Sequence, residues 1–362
     1  SLMVAAWFVA RRRGYPVEAF PGVRALGRLF LNAAPGLILI VIIFGGVRSG
    51  IFTASESSDI AVVYALFVTA VDTEPLAADP LVIIGRAAAD FRRGLQVLRR
   101  LVACPIHLCS ATAIDGIDDI PDLHLWFFSG PHPAGLASTH IHFIDPVHEG
   151  KTVWQIGYQD VIAIGHLLAT GRLFTERIVA LAGTGVIQPA LVKTRLGASL
   201  RDLCLREVSL EKLRVISGSV LDGRESKDNV AFLGRFHNQV SVIADANGRS
   251  LFNWLLPGTG RFSLKPVFAS AFLGKSSFPM NTALWGGKRA IYPLGTYDQV
   301  MPLDIIATSL LKSLAKGDTE KSRDLGCLEL IEEDLGLCGF VCPGNNPLVQ
   351  LPRAATTPTE PR

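Results

Sequence analysis

The sequence predicts an α/β protein: a partly parallel sheet with helices, then a small mixed β region and a C-terminal helical module, all preceded by a transmembrane-type helical segment. Three observations predict it. After Phe67 short apolar strands alternate with amphipathic helices, and βαβ order implies an open sheet with parallel strands. From Leu191 the chain becomes β-rich, and near its end apolar spacing with a terminating glycine marks a helix. Ahead of all this, the first seventy residues differ from the rest in both charge and hydropathy.

The 362 residues are 19% charged, with a mean hydropathy of +0.35. That is apolar for a soluble chain, and the length allows two or three domains. Six of the 35 basic residues and three of the 32 acidic ones lie in residues 1–71, leaving 29 of each elsewhere. The net charge of +3 is therefore N-terminal. A neutral body has no electrostatic footprint for nucleic acid, which excludes that class of partner. Residues 29–47 form a run of 19 without a charge, bounded by Arg28 and Arg48, close to the roughly 20 apolar residues that a bilayer core needs. They are a candidate transmembrane helix, with Arg11-Arg12-Arg13 in a cytoplasmic loop by the positive-inside bias. A buried core helix is the other reading, because Pro35, Gly36, Gly45 and Gly46 weaken a regular helix. In residues 1–10 the arginines follow the apolar run, the reverse of a secretory signal peptide, so this stretch reads as the tail of a membrane helix whose start is missing.

Within the body, residues 67–71 read as a strand leaving into the loop Asp72-Thr73-Glu74-Pro75. Ile84, Ala88, Phe91, Leu95, Leu98 and Val102 recur at steps of three and four and share one helical face, with Arg92, Arg93, Arg99 and Arg100 toward solvent. Strands at 106–109 and 123–128 follow, then a helix around 160–170 stopped by Gly171, then a strand at 177–182. Farther on, strands at 214–220 and 232–244 surround the turn Asp222-Gly223. Pro302 reads as the start of a helix that carries Leu303, Ile306, Leu310 and Leu314 on one face and ends at Gly317.

The six cysteines (Cys104, Cys109, Cys204, Cys327, Cys338, Cys342) are too sparse for a disulfide scaffold and read as reduced thiols. The glycine-rich 182–188 follows a strand, but Gln188 stands where a dinucleotide loop needs its third glycine, so a plain strand-to-loop turn is favoured. No Walker A loop, His-Glu-x-x-His helix or Gly-x-Ser-x-Gly elbow is present. The densest polar cluster runs from Ser129-Gly130-Pro131-His132-Pro133 to Thr139-His140-Ile141-His142. On a strand His140 and His142 would share a face and could hold a metal with His132 or Asp145, although loop hydrogen bonding is the commoner use of such imidazoles and no metal is assigned. Cys338 and Cys342 keep only one interval and the proline of an iron–sulfur run, which favours a helical module without a cluster.

Two resemblances follow. Arg11-Arg12-Arg13-Gly14-Tyr15-Pro16, the run from Gly46 to Glu56, and Ala61-Val62-Val63-Tyr64-Ala65 resemble the large permease subunit of TRAP-type dicarboxylate transporters, over about residues 1–66. A fraction of a permease cannot carry its transport activity. The run from Phe67 to Pro80, Ser129-Gly130-Pro131-His132-Pro133-Ala134-Gly135, Tyr158-Gln159-Asp160-Val161-Ile162-Ala163, Val215-Ile216-Ser217-Gly218-Ser219-Val220-Leu221, Pro302-Leu303-Asp304 and Phe340-Val341-Cys342-Pro343-Gly344 closely resemble the A-type subunit of the sodium-translocating NADH:quinone reductase. Unrelated motifs in the right order make this second match, over about 66–344, very specific.

The second resemblance implies a peripheral protein on the cytoplasmic side of the cell inner membrane, in a six-subunit complex that oxidises NADH, reduces ubiquinone and exports sodium ions. Its partners would be the other five subunits, especially the B-type membrane subunit, together with ubiquinone and the membrane. Flavins and iron–sulfur centres would sit on other subunits, with no cofactor and no catalytic residue here. The implied layout is a permease-like fragment (1–66), a Rossmann-like domain (67–189), a small β-grasp domain (190–245), a C-terminal domain ending in a helical module (246–344) and a disordered tail (345–362). Gly130, His132, His140 and His142 are the candidate quinone-binding or interface residues. Here the permease-like piece replaces the family's barrel-sandwich domain, and a Pro/Thr tail replaces its last helix. The alternatives are a dicarboxylate-permease fragment, or a non-functional chimera given the missing start Met, which detection of a peptide spanning Tyr64 to Glu74 would test. The run 61–71 serves equally as the end of a permease helix and as the first strand of the body, so hydropathy alone does not expose the seam.

Overall fold

Strand β1 (Ala65–Ala70) is apolar and mostly buried, and it pairs in parallel on both sides. The computed structural model describes residues 65–351 apart from 149, 205–211, 228–229, 247–254, 275–276, 279 and 284–285. The candidate membrane segment 29–47 lies outside the described residues, among which no helix is long and apolar enough to cross a membrane. With β2 (Ile106–Ser110), β3 (Leu123–Phe127) and β4 (Val153–Gly157), β1 forms an all-parallel sheet in the order β3-β2-β1-β4.

Helix α1 (Pro80–Arg86) starts where the Asp79 carboxylate accepts from the Leu81 N–H at 2.9 Å and Pro80 fills the first position. The single helical face predicted from Ile84 to Val102 is broken at Ala87, whose φ of −133° and ψ of 35° leave helical geometry before α2 (Ala88–Leu101) resumes. Between β3 and β4 lies α3 (Ala137–Ile144), and β4 runs directly into α4 (Tyr158–Thr170), which Gly171 ends in the left-handed conformation at φ 70°. Phe91, Leu95, Val161 and Ile162 from α2 and α4 pack on Leu66, Val68, Ile106 and Leu108. The opposite face, with Phe67 and Cys109, is covered by Ile141 and Ile144 of α3. Parallel sheets are usually covered on both faces. A helix as short as α3 leaves His124 and Trp126 at the surface, where the indole N–H of Trp126 donates to His107 Nδ1 at 3.1 Å.

The second sheet has the order β6-β5-β9-β7-β8, from β5 (Glu176–Ala182), β6 (Ala190–Arg195), β7 (Leu213–Ser217), β8 (Arg224–Glu225) and β9 (Gln239–Ala244). The short helix α5 (Leu200–Cys204) follows β6 and buries Leu200 and Cys204 with Val179, Leu181 and Val242 of this sheet. Among the described strand pairs β5 and β9 run parallel and the others antiparallel, so the sheet is mixed. The strand read at 177–182 as part of the first α/β stretch is hydrogen-bonded into this second sheet, because it forms an antiparallel pair with β6. The strands predicted at 214–220 and 232–244 are shorter. His237 accounts for this: its ring lies against Gly234 and its Nδ1 lies 2.7 Å from the Ser217 hydroxyl, so this stretch wraps the imidazole instead of extending the ladder.

The helical module comprises α6 (Ala307–Lys316), α7 (Thr319–Asp324) and α8 (Asp334–Val341). α6 ends at left-handed Gly317 as predicted, but it begins at Ala307 and not at Pro302. The Asp304 N–H donates to His142 Nε2 at 3.2 Å, which holds 302–304 out of the helix, and Ile306 is left 65% exposed. Residues 345–351, expected in a disordered tail, are built into the module. Leu348 is 1% exposed in its core, and the Asn346 amide donates to the Arg289 carbonyl at 2.8 Å. One leucine supplies the apolar burial that the composition of the whole tail did not suggest.

Candidate functional site

The strand order β3-β2-β1-β4 reverses direction at β1, and in open α/β sheets the crevice beyond the carboxyl ends of the strands at such a switch is where ligands bind. Here that crevice is filled by the chain itself. The Thr73 hydroxyl, just past β1, accepts from the Gly135 N–H at 2.8 Å and lies 3.4 Å from His132 Nδ1. Gly135 is required for this approach, since a Cβ there would lie 2.6 Å from the Thr73 nitrogen. From the other side the Gln239 amide donates to the Pro75 carbonyl at 3.1 Å.

The four predicted residues are near neighbours in sequence with separate partners. Gly130 sits at φ 141° where the loop leaves β3, and His132 faces Thr73. His140 and His142 lie on helix α3, not on a strand, so residues two apart point in different directions and do not share a face. This corrects the shared-face metal reading; of the further ligands it offered, His132 faces Thr73 and Asp145 is paired with Lys151. His140 is fully buried, with Nε2 at 2.9 Å from the Ala134 carbonyl and the Phe128 ring 4.3 Å away. Burial pushes its imidazole down to about 4, against the opposing pull of the Ala134 carbonyl. His142 faces the helical module, its Nδ1 at 2.5 Å from Glu329 Oε2. Its neighbour Ser138 donates to Asp334, whose second carboxylate oxygen accepts from the Ile331 N–H at 2.9 Å. Together the loop and α3 form a bracket between the first sheet and the module.

Sequence reasoning missed a group of carboxylates beside this bracket. Asp72, pushed up to about 6 by burial, accepts from the Glu74 N–H at 3.0 Å. Glu74 is raised further, by burial and then by the charges of Asp222, Asp72 and Glu333, so it carries a proton and donates it to Asp222. The loop containing Asp72 and Glu74 was visible, but Asp222 and Glu333 come from distant segments and no local spacing announces them. The glycines of 182–188 serve packing. At Gly183, with φ 131°, a Cβ would lie 2.0 Å from the Val242 carbonyl oxygen of β9, so the strands could not approach as they do.

Comparison with known proteins decides the family. A family described as "NqrA second alpha/beta domain" matches residues 57–173, one described as "NQRA C-terminal domain" matches 178–228, and the DctM component of tripartite ATP-independent periplasmic transporters matches 1–92. The A-type subunit of the Na(+)-translocating NADH-quinone reductase of Neisseria meningitidis serogroup A is 49% identical over 306 residues, covering 82% of this chain and 68% of that protein. The chain belongs to the NqrA family of Na(+)-translocating NADH-quinone reductase subunits. The NqrA protein of Actinobacillus pleuropneumoniae serotype 5b is 48% identical over 326 residues, covering 85% of this chain and 71% of that protein. The transporter match and the first NqrA match overlap at 57–92, a stretch that contains the run 61–71 in which both patterns were read. The two NqrA matches take in the whole first sheet, the bracket loop and most of the second sheet.

Proposed function

We propose that the chain acts as a peripheral docking subunit of the respiratory sodium-pumping NADH:ubiquinone oxidoreductase. It shapes the quinone-reduction end of the complex at the cytoplasmic side of the inner membrane and contributes no catalytic residue. One observation carries this reading: most polar groups at and beside the switch-point crevice, among them His132, His142, Thr73, His140 through Nε2 and the nearby carboxylates, are engaged with one another and with the chain's own backbone, with His140 Nδ1 and Gln239 Oε1 the buried atoms there without a partner among the described residues. Groups used in that way fix a shape rather than turn over a substrate. The glycines of 182–188, closed against β9, support the same reading, with flavins and iron–sulfur centres carried by the other subunits. The B-type membrane subunit is the proposed membrane contact, and the quinone-facing surface is proposed to lie on the loop carrying Gly130 and His132. The test is co-purification of the tagged chain with the other five subunits. A complex that assembles and reduces quinone normally without it would sink the proposal.

The transporter match over residues 1–92 favours a second reading, a fragment of a dicarboxylate permease. Dicarboxylate uptake that is lost on deleting the gene would support it, and unchanged uptake would end it.

A further inference from the structure

Away from the bracket, a cavity of 370 Å³ opens beside the helical module, lined by Phe262, Leu264, Leu294 and Phe340 near its mouth and by Thr296 and Cys342 deeper in. The mouth residues are 42–52% exposed, so the cavity communicates with solvent, whereas Thr296 and Cys342 are 7% and 5% exposed. The rings of Phe262 and Phe340 stack with centroids 5.7 Å apart and form one apolar wall. Two polar features sit in this apolar setting. The buried Thr296 hydroxyl has no hydrogen-bond partner among the described residues, which is uncommon for a buried polar group and leaves a donor for whatever enters. Cys342 is surrounded by donors: the Tyr297 hydroxyl donates to its sulfur at 3.2 Å and the Asn346 amide at 3.9 Å.

The donors change the thiol's chemistry. Burial pushes Cys342 up, but the Tyr297 hydroxyl, the backbone N–H groups of Asn346 and Gly344 and the Asn346 amide outweigh it and hold the thiol below its ordinary value. Cys338, one turn earlier in α8 and buried without such donors, is pushed up to about 12. The thiolate is the nucleophile, and a hydrogen-bonded sulfur at the floor of an open cavity is the setting in which cysteines react selectively.

We propose that this cavity is a covalent-modification site at which Cys342 adds to small, planar α,β-unsaturated carbonyl compounds. The Cys342 proton leaves to solvent, and the sulfur forms a bond to the β-carbon. The carbon–carbon π pair shifts toward the carbonyl oxygen, and the α-carbon then takes a proton from water. The sum is addition of S–H across the double bond, and no oxidant is consumed. The Thr296 hydroxyl supplies a donor for the carbonyl oxygen as it gains charge, and the phenyl wall accepts the flat apolar body of the compound.

The test is limiting N-ethylmaleimide on the full chain under native conditions, followed by peptide mass mapping. Cys342 is expected to label at least tenfold faster than Cys104, Cys109, Cys204, Cys327 or Cys338, and an excess of unreactive N-ethylsuccinimide is expected to slow it. Tyr297→Phe is expected to slow Cys342 labelling severalfold without changing the other cysteines, and Thr296→Val to narrow its preference for maleimide over iodoacetamide. Should Tyr297→Phe fail to fold, the pH profile of labelling in the unaltered chain takes its place, with a Cys342 midpoint below that of an ordinary thiol. Labelling of Cys342 at the rate of Cys338, labelling only after unfolding, or a midpoint above the ordinary value would each overturn the proposal.

Discussion

His142 Nδ1 lies 2.5 Å from Glu329 Oε2, and on the other side of the same ring Nε2 accepts the Asp304 N–H at 3.2 Å. One imidazole therefore ties α3 to two segments of the helical module that are more than 160 positions away in the chain. Removing the ring leaves a partly buried carboxylate and a backbone N–H without their partner. His142→Ala is expected to destabilise the chain by about 1–3 kcal/mol in a denaturant melt. A double-mutant cycle with Glu329→Ala should show coupling, since each change removes the same contact. Strictly additive effects would show that the pair is not holding the module.

Glu74, buried against Asp222, Asp72 and Glu333, makes stability fall as pH rises. Its pKa in the folded chain is raised, to about 9, so the folded state binds a proton that the unfolded state has released. The stabilisation is complete below the ordinary carboxylate range near 4.5 and is lost as pH climbs toward 9. Glu74→Gln keeps the donor to Asp222 without the titrating proton. It is expected to raise Tm at pH 8–9 and to flatten the dependence of Tm on pH across that window. A Tm at pH 9 equal to or below that of the unaltered chain would contradict the arrangement.

The buried His140 acts with the opposite sign. Its pKa is depressed to about 4 from 6.5, so the contribution is fully present above 6.5 and is lost as pH falls from there through 4. The loss is on the order of 3 kcal/mol at the acid end. His140→Gln, which can still donate to the Ala134 carbonyl, should remove this acid limb while costing some packing against Phe128 at neutral pH. Acid titrations of the two proteins followed by circular dichroism check it.

Much of the fold was legible because it is written locally. The α4 and α6 terminators Gly171 and Gly317 announced themselves, and the first three strands were visible as short apolar runs. What was not legible depends on distant partners. The start of α6 moved from Pro302 to Ala307 because Asp304 bonds to His142, and β5 joined the second sheet because β6 pairs with it. The site suffered most. His132, His140 and His142 stood out as a polar cluster, but helical geometry at α3 sends the rings of His140 and His142 to different partners, and His132 lies in the preceding loop against Thr73. The carboxylates around Glu74 are completed by distant Asp222 and Glu333, and the Tyr297 donor reaches Cys342 from 45 positions away, joining the local donors Gly344 and Asn346.

Leu348 tests how far the ordered module extends. It is 1% exposed and packs with Leu335, Cys338 and Val341 of α8, in a stretch whose proline and asparagine content alone suggests no fixed structure. Truncating it to alanine removes buried methyl groups and leaves a cavity, and core leucine-to-alanine changes cost about 2–5 kcal/mol. Leu348→Ala is therefore expected to destabilise the module by an amount in that range, and hydrogen exchange should show lost protection in α8 as well as in 345–351. If 345–351 did not pack, the substitution would fall within about 0.5 kcal/mol of the unaltered chain, as a surface change does. A change confined to 345–351, with α8 protection intact, would separate fraying of the segment from loss of the core.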